Sequence, residues 1–407
     1  MSLNLRIRLS AMMFLEFFVW GAWVTVLSNH LDALKLGTNT PAIYGLLGLA
    51  SLFMPIVAGQ ITDRFLPTQI FLAGAHLVGA LGLVLASQAG SAEEYGWIYW
   101  GMFIWALAYA PTISLTNSLA FTHIRDPEKD FSTIRLFGTF GWIASNWVLS
   151  GWRSIGALRI GGNDCLYLAA GASVVMAVFC LFLPHTPPAK TGVSPFAFAK
   201  AFGLLRKPQV SLFLIVAFLV GVAFYFYFTL IGPFLAHVGA KDQAIPALQS
   251  IGNFSEILAM LLLPVCLKSW GPSITIALGA LFGALRYTIF AFGEPYGLVV
   301  AALFTHGFYF TYFFVVGFIY IDMAAPKDIK GSAQGLLTLV VFGLSAFLGN
   351  QFIAQVQAAY KDRPDQWAKV WLVPALIAVA CAILFLITFP KGSMKKAAGA
   401  EEPQGGA

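Results

Sequence analysis

The chain has 407 residues, 59% of them hydrophobic and 10% charged, with a mean hydropathy of +0.79. A soluble domain carries roughly 25% charged residues, and no globular core could hide this much apolar surface, so a soluble enzyme is excluded. The formal net charge of +6 belongs to membrane topology and contact with anionic lipid rather than to nucleic-acid binding.

A hydrocarbon core of about 30 Å needs roughly 20 apolar residues per helical crossing. Windows of that kind predict twelve spans. In the first half they lie at 10–32, 42–61, 68–88, 96–121, 133–152 and 164–184. In the second half they lie at 211–236, 245–267, 271–293, 295–321, 332–357 and 367–389. The runs are too long and continuous for barrel strands, so the expected fold is all-α and integral to the membrane, with twelve transmembrane helices. Arg6 and Arg8 precede a first run long enough to span and without a small-residue cleavage site, so that run is expected to be retained.

The longest polar connection, at about 185–210, opens with Pro184, His185, Pro187 and Pro188 and closes with Lys200, Arg206 and Lys207. It divides the chain into a six-helix half at 1–184, a cytoplasmic linker and a second six-helix half at 211–390. The tail at 391–407, rich in Ala, Gly and charge, is expected to be disordered. Pro195 to Leu205 reads equally as an interfacial amphipathic helix or a solvated linker. Cys165, Cys180, Cys266 and Cys381 all fall in apolar spans, where a thiol is a small buried hydrophobe, and no disulfide is expected. With both termini inside, the cytoplasmic segments hold fifteen of the 22 loop Lys and Arg residues, which sets the orientation.

A charge at mid-bilayer costs about 2.5–3.5 kcal/mol, so the few ionisable residues within spans are functional candidates. They are Glu16, His76, Arg135, Glu256, Arg286 and His306; Asp322 lies at a span end, where a solvated or loop-paired role is expected. Arg135, Thr139 and Trp142, at i, i+4 and i+7, set a cation, a hydroxyl and an aromatic plane on one helical face. Such a face is a wall for a polar, ring-shaped solute. Asn253 with Glu256, and His306 with Phe310, share faces in the same way, as do Glu16, Trp20 and Trp23. His76 reads as a helix-packing residue, and Arg286 either as a solute ligand or as a clamp on backbone carbonyls. The aromatics from Phe224 to Phe228 face either lipid, neighbouring helices or a cavity.

Two six-helix halves joined by a cytoplasmic linker resemble the major facilitator superfamily, in which the halves rock about a midplane site. Gly59-Gln60-Ile61-Thr62-Asp63-Arg64, between spans two and three, resembles that superfamily's GxxxDR loop motif without its later basic residues. The resemblance implies gating roles for Gly59, Asp63 and Arg64, the glycine permitting close helix approach and the aspartate pairing across the half interface.

A narrower resemblance is carried by Phe14-Leu15-Glu16-Phe17-Phe18-Val19-Trp20-Gly21-Ala22-Trp23, Phe53-Met54-Pro55, and Tyr109-Ala110-Pro111-Thr112 with Asn117. It continues through Ile134-Arg135-Leu136-Phe137-Gly138-Thr139, Ser255-Glu256, His306-Gly307 and Ser332-Ala333-Gln334-Gly335. Together these resemble the bacterial nucleoside:proton symporter family over essentially the whole chain. The resemblance implies a substrate cavity between the halves and proton-driven nucleoside uptake. Carried over by position, it puts Arg135, Thr139, Trp142, Tyr225, Asn253, Glu256, His306 and Phe310 at substrate-binding positions. Three departures stand out. Tyr225 and Phe228 replace polar amides on span seven, while Asn253 stands for a larger amide on span eight. Thr311 stands where the family often has an Asp. Glu16 stands where it often has Gln. A buried carboxyl can titrate near neutral pH and threonine cannot, which leaves Glu256 and Glu16 as proton carriers.

Three functions compete: a proton-coupled nucleoside permease, a facilitator or symporter for another small polar or aromatic solute, and a non-transporting membrane sensor or enzyme. No HExxH, GxSxG, P-loop or paired-His metal spacing supports the last. The expected partners are a nucleoside-like solute, protons and the lipid of a bacterial inner membrane. No catalytic residue, metal, cofactor or nucleic acid is expected, and a monomer is.

Overall fold

The computed structural model describes residues 2–124, 127–155, 163–188, 202–326 and 329–389, and helices are the only extended elements among them. In hydrocarbon each backbone N–H and C=O must be satisfied within its own segment, which is why apolar runs of this length become helices. The first unit holds α1 (Leu3–Val24), α2 (Leu27–Ala33), α3 (Thr40–Ser51), α4 (Met54–Arg64), α5 (Thr68–Ala86), α6 (Tyr95–His123), α7 (Pro127–Ile155) and α8 (Asp164–Cys180). Then come α9 (Pro208–His237), α10 (Ile245–Phe292), α11 (Tyr296–Ala302), α12 (Thr305–Tyr309), α13 (Val316–Ala324), α14 (Lys330–Thr338), α15 (Ser345–Tyr360) and α16 (Gln366–Thr388).

Nine helical stretches among the described residues have the length and hydropathy to cross a membrane. The longest, Asp242–Phe292 with 51 residues, carries two expected spans. Gly271 separates them at φ 78° and ψ 170°, a conformation open to glycine because it lacks Cβ. Helices α7 and α8 cover the fifth and sixth expected spans. The result is an all-α membrane protein.

Breaks within spans have local causes. Pro55, in the first turn of α4, has no N–H and its ring clashes with the carbonyl four residues earlier, so the second span is interrupted between α3 and α4. In spans ten and eleven, Phe310–Val315 and Leu339–Leu344 widen into π turns, a geometry that recurs at functional sites. Leu376, Ile383 and Ile387 are exposed along one stripe of α16, which in a bilayer is a lipid-facing surface.

The chain forms two compact units, Met1–Val193 with Phe228–Ser250 and Asn350–Ala354, and Ser194–Tyr227 with Ile251–Gly349 and Gln355–Ala407. Phe228–Ser250 therefore groups with the first unit although in sequence it follows the linker. Within that unit Gln249 Nε2 donates to the Thr25 carbonyl at 2.7 Å, and Trp147 Nε1 to Ser250 Oγ at 3.0 Å. The candidate interfacial helix falls outside the described residues up to residue 201, beyond which Phe202–Arg206 forms a short 3-10 turn. The expected disordered tail is also outside them. The four cysteines are buried and unbridged.

Candidate substrate and proton site

The sequence-predicted residues separate into a first-unit and a second-unit cluster. In the first unit α1 packs along α7. The Arg135 guanidinium carbon lies 3.9 Å from the centroid of the Phe17 ring. This is cation–π geometry, and it costs the cation less than bare hydrocarbon would. Glycine at 138 makes room for it, since an added Cβ would stand 2.5 Å from Arg135 Nη1 and 2.7 Å from Phe17 Cδ2. Two turns on, Trp142 meets Trp20 edge to face at 5.3 Å and Phe228 at 6.2 Å. Thr139 lies between Arg135 and Trp142 on α7, half-buried as both of them are. The predicted face of cation, hydroxyl and indole is thus present.

Glu16, next to Phe17 on α1, is fully buried. Its Oε2 is 3.1 Å from His76 Nε2 on α5, and its Oε1 accepts from Thr112 Oγ1 on α6 at 2.6 Å. Tyr109 donates its hydroxyl to the Glu16 carbonyl at 2.7 Å. His76 is therefore satisfied between helices, as expected of a packing residue, with a buried acid as its partner. Sequence reasoning missed this because the two residues lie on different spans with no local pattern to join them.

In the second unit the centre is a buried arginine. Arg286 Nη1 lies 2.7 Å from His306 Nδ1, and Nη2 donates to Tyr287 Oη at 2.9 Å. Its guanidinium carbon stands over the rings of Tyr227, Tyr287 and Tyr309 at 4.3, 4.8 and 5.3 Å. Tyr287 passes the chain of bonds to the Ala223 carbonyl at 2.7 Å. Of the two alternatives for Arg286, solute ligand or clamp on backbone carbonyls, the contacts are those of a clamp, with side chains as its partners. A guanidinium has donors only, so His306 Nδ1 must accept and the ring proton sits on Nε2. The imidazole is thereby fixed as a donor at its other nitrogen.

Phe224 stacks on His306 at 5.4 Å and lies 6.0 Å from Phe310 at the start of the π turn. Phe224, Phe226 and Tyr227 are buried in protein, which removes lipid as their neighbour; Tyr225 is half-buried. Gly307 lets α12 press on α10: its N–H donates to Ser255 Oγ at 3.0 Å, and an added Cβ would collide with the backbone of Ser255 and Glu256. Asn253 and Glu256 flank that contact, both half-buried. Thr311, where the family often carries an acid, is fully buried.

The gating motif is placed on α4, with Asp63 half-buried and Arg64 exposed. Among the described residues, an added Cβ at Gly59 would meet nothing within 4 Å. Asp322 is paired across a loop, accepting from Lys330 Nζ at 2.6 Å and Gln334 Nε2 at 3.0 Å. A further buried pair escaped sequence reasoning, Arg153 with Asp164, in which Nε and Nη2 donate to the two carboxylate oxygens at 2.7 and 2.8 Å.

The chain is an all-α membrane protein of the major facilitator fold, with ionisable side chains buried within its helices. The family profile described as "Nucleoside H+ symporter" matches residues 2–393, and the chain belongs to that family. It is 33% identical to the putative nucleoside transporter YegT of Escherichia coli K12 over 94% of this chain and 93% of that one. It is 28% identical to the nucleoside permease NupG of the same organism over 95% of this chain and 96% of that one. The crystal structure of nucleoside transporter NupG superposes with a TM-score of 0.83 at 27% identity, covering 95% of this chain and 100% of that chain. The chain is therefore a transporter of the proton-coupled nucleoside class and not an enzyme.

Proposed function

We propose that this chain accumulates nucleosides by proton symport across a bacterial cytoplasmic membrane, working as a monomer with both termini and the linker in the cytoplasm. The family match over residues 2–393 is the observation that carries the reading. Arg135, Thr139 and Trp142 of the first unit, and Tyr225, Asn253, Glu256, His306 and Phe310 of the second, are the solute-contacting positions. His306 offers its Nε2–H to an acceptor on the sugar or base, and Phe310 and Trp142 offer faces for a planar base. Glu256 and Glu16 are the acids available to carry the proton. Gly59, Asp63 and Arg64 act in gating. Aromatic Tyr225 in place of a family amide favours a second reading, transport of another small aromatic solute. Uptake of a labelled nucleoside panel into a transporter-deficient host, with and without a protonophore, separates the two. Nucleoside accumulation that collapses with the protonophore supports symport, and failure of every nucleoside to accumulate refutes it.

Arg135→Ala is expected to abolish uptake while leaving the protein in the membrane at its normal level. Arg135→Lys is expected to stay poor, because a point charge replaces neither the planar fork nor its stacking on Phe17. Normal transport by both variants would reduce Arg135 to a packing residue. Orientation is tested separately: cysteines placed in the 185–210 linker are expected to resist impermeant thiol reagents in intact cells, and labelling from outside would reverse the topology.

A further inference from the structure

We propose that Glu16 and His76 form one proton-binding unit, with Thr112 as its hydroxyl relay, and that this unit loads and releases the symported proton. The proposal rests on the symport reading above and deepens it by choosing between the two candidate acids. Glu16 is 0% and His76 1% exposed, an acid and a base 3.1 Å apart where neither meets solvent in this conformation. Between them the pair passes from net negative to net neutral on gaining one proton. Once gained, the proton can sit on either partner, because Glu16 Oε2 and His76 Nε2 lie 3.1 Å apart.

The partners suit both states. Thr112 Oγ1 lies 2.6 Å from Glu16 Oε1 and 2.7 Å from the Tyr109 carbonyl, and it has one hydrogen to give. With Glu16 ionised, the hydroxyl donates to the carboxylate. With Glu16 protonated on Oε1, the hydroxyl turns to the Tyr109 carbonyl and accepts the new O–H. His76 likewise has a second partner, Ser173 Oγ on α8 at 3.5 Å from Nδ1. A carboxyl with a structural role only would need one of these arrangements.

Among the described residues, Tyr109, Cys180 and Arg135 are other titratable or charged groups near Glu16. Tyr109 on α6 holds the Glu16 backbone carbonyl, Cys180 on α8 lies in the same buried cluster as Phe17, and Arg135 on α7 stacks on the ring of Phe17. Adjacent residues of α1 therefore touch the proton pair and the cation proposed to hold solute. A shift of α1 on protonation would be felt at Arg135, which is a route for coupling. Glu256 then serves as a solute contact.

The test uses the purified full chain in proteoliposomes and a mixture of four labelled ribonucleosides, with uptake normalised to monodisperse protein. For wild type, accumulation is expected to follow an imposed pH gradient. Glu16→Gln is expected to lower gradient-driven accumulation about tenfold or more, since the amide keeps the shape and cannot titrate. His76→Gln and Thr112→Val are each expected to move the pH of half-maximal uptake by about one unit, equal to a tenfold change in proton affinity. A purely structural role would reduce the yield of folded protein and leave that midpoint in place. Should Glu16→Gln not be recovered, the midpoints of the other two variants decide. Wild-type behaviour in the variants overturns the proposal and leaves symport standing, with Glu256 as carrier. Wild-type protein that ignores the pH gradient overturns the symport reading itself, and this proposal with it.

Discussion

Arg153→Ala is expected to produce the largest loss of stability of any single change considered. Arg153 at the end of α7 is 5% exposed and Asp164 at the start of α8 only 1%, joined by a two-pronged ion pair at 2.7 and 2.8 Å. Bidentate guanidinium–carboxylate geometry is the strongest form of this contact. Removing the arginine leaves the carboxylate buried with, among the described residues, the Cys165 N–H at 2.9 Å as its hydrogen-bond donor. Breaking a buried pair from one side costs about 3–5 kcal/mol. A clear fall in the detergent-solubilised melting temperature is the expected reading. Restoring neutrality in the double variant Arg153→Met, Asp164→Asn should recover most of it, because no charge is then stranded. The third partner, Asp242, is 38% exposed and 3.2 Å away, so Asp242→Asn should cost no more than about 1 kcal/mol. A melting temperature unmoved by Arg153→Ala would show that the pair contributes nothing to folding.

Arg286→Ala is expected to damage both stability and transport. Arg286 is 0% exposed and fills the space among Tyr227, Tyr287 and Tyr309. Truncation leaves a cavity, for which large-to-small changes cost about 2–5 kcal/mol. It also removes the Arg286 donor from His306 Nδ1, so the tautomer with the proton on Nε2 is no longer imposed by that contact. Uptake is expected to fall about tenfold or more, equal to the loss of one good hydrogen bond to solute. Arg286→Lys should recover part of the stability and little of the transport, since one ammonium cannot serve His306 and Tyr287 in the same geometry. Melting curves and uptake per folded molecule check both halves. Unchanged uptake by Arg286→Ala would separate His306 orientation from transport.

The face built from Arg135, Thr139 and Trp142 could be read from sequence because helical spacing alone places i, i+4 and i+7 together. Loop pairing of Asp322 could be read from its place at a span end. The roles of His76 and Arg286 could not. Each is set by residues 20 or more positions away, Glu16 in one case and His306 in the other. No periodicity links residues on different helices, so sequence named neither the acid beside His76 nor the side chains around Arg286.

By itself the sequence determined the membrane-spanning helices, the direction of the charge bias and the family. These follow from apolar run length, loop composition and local spacing, each a property of neighbours along the chain. Only the tertiary structure decided which buried charges meet. A proton held between Glu16 and His76, a histidine locked as a donor by Arg286 and an aspartate neutralised by Arg153 all depend on distances between helices. Those distances are set by how closely side chains let backbones approach, as Gly138 does for Arg135 and Gly307 for Glu256.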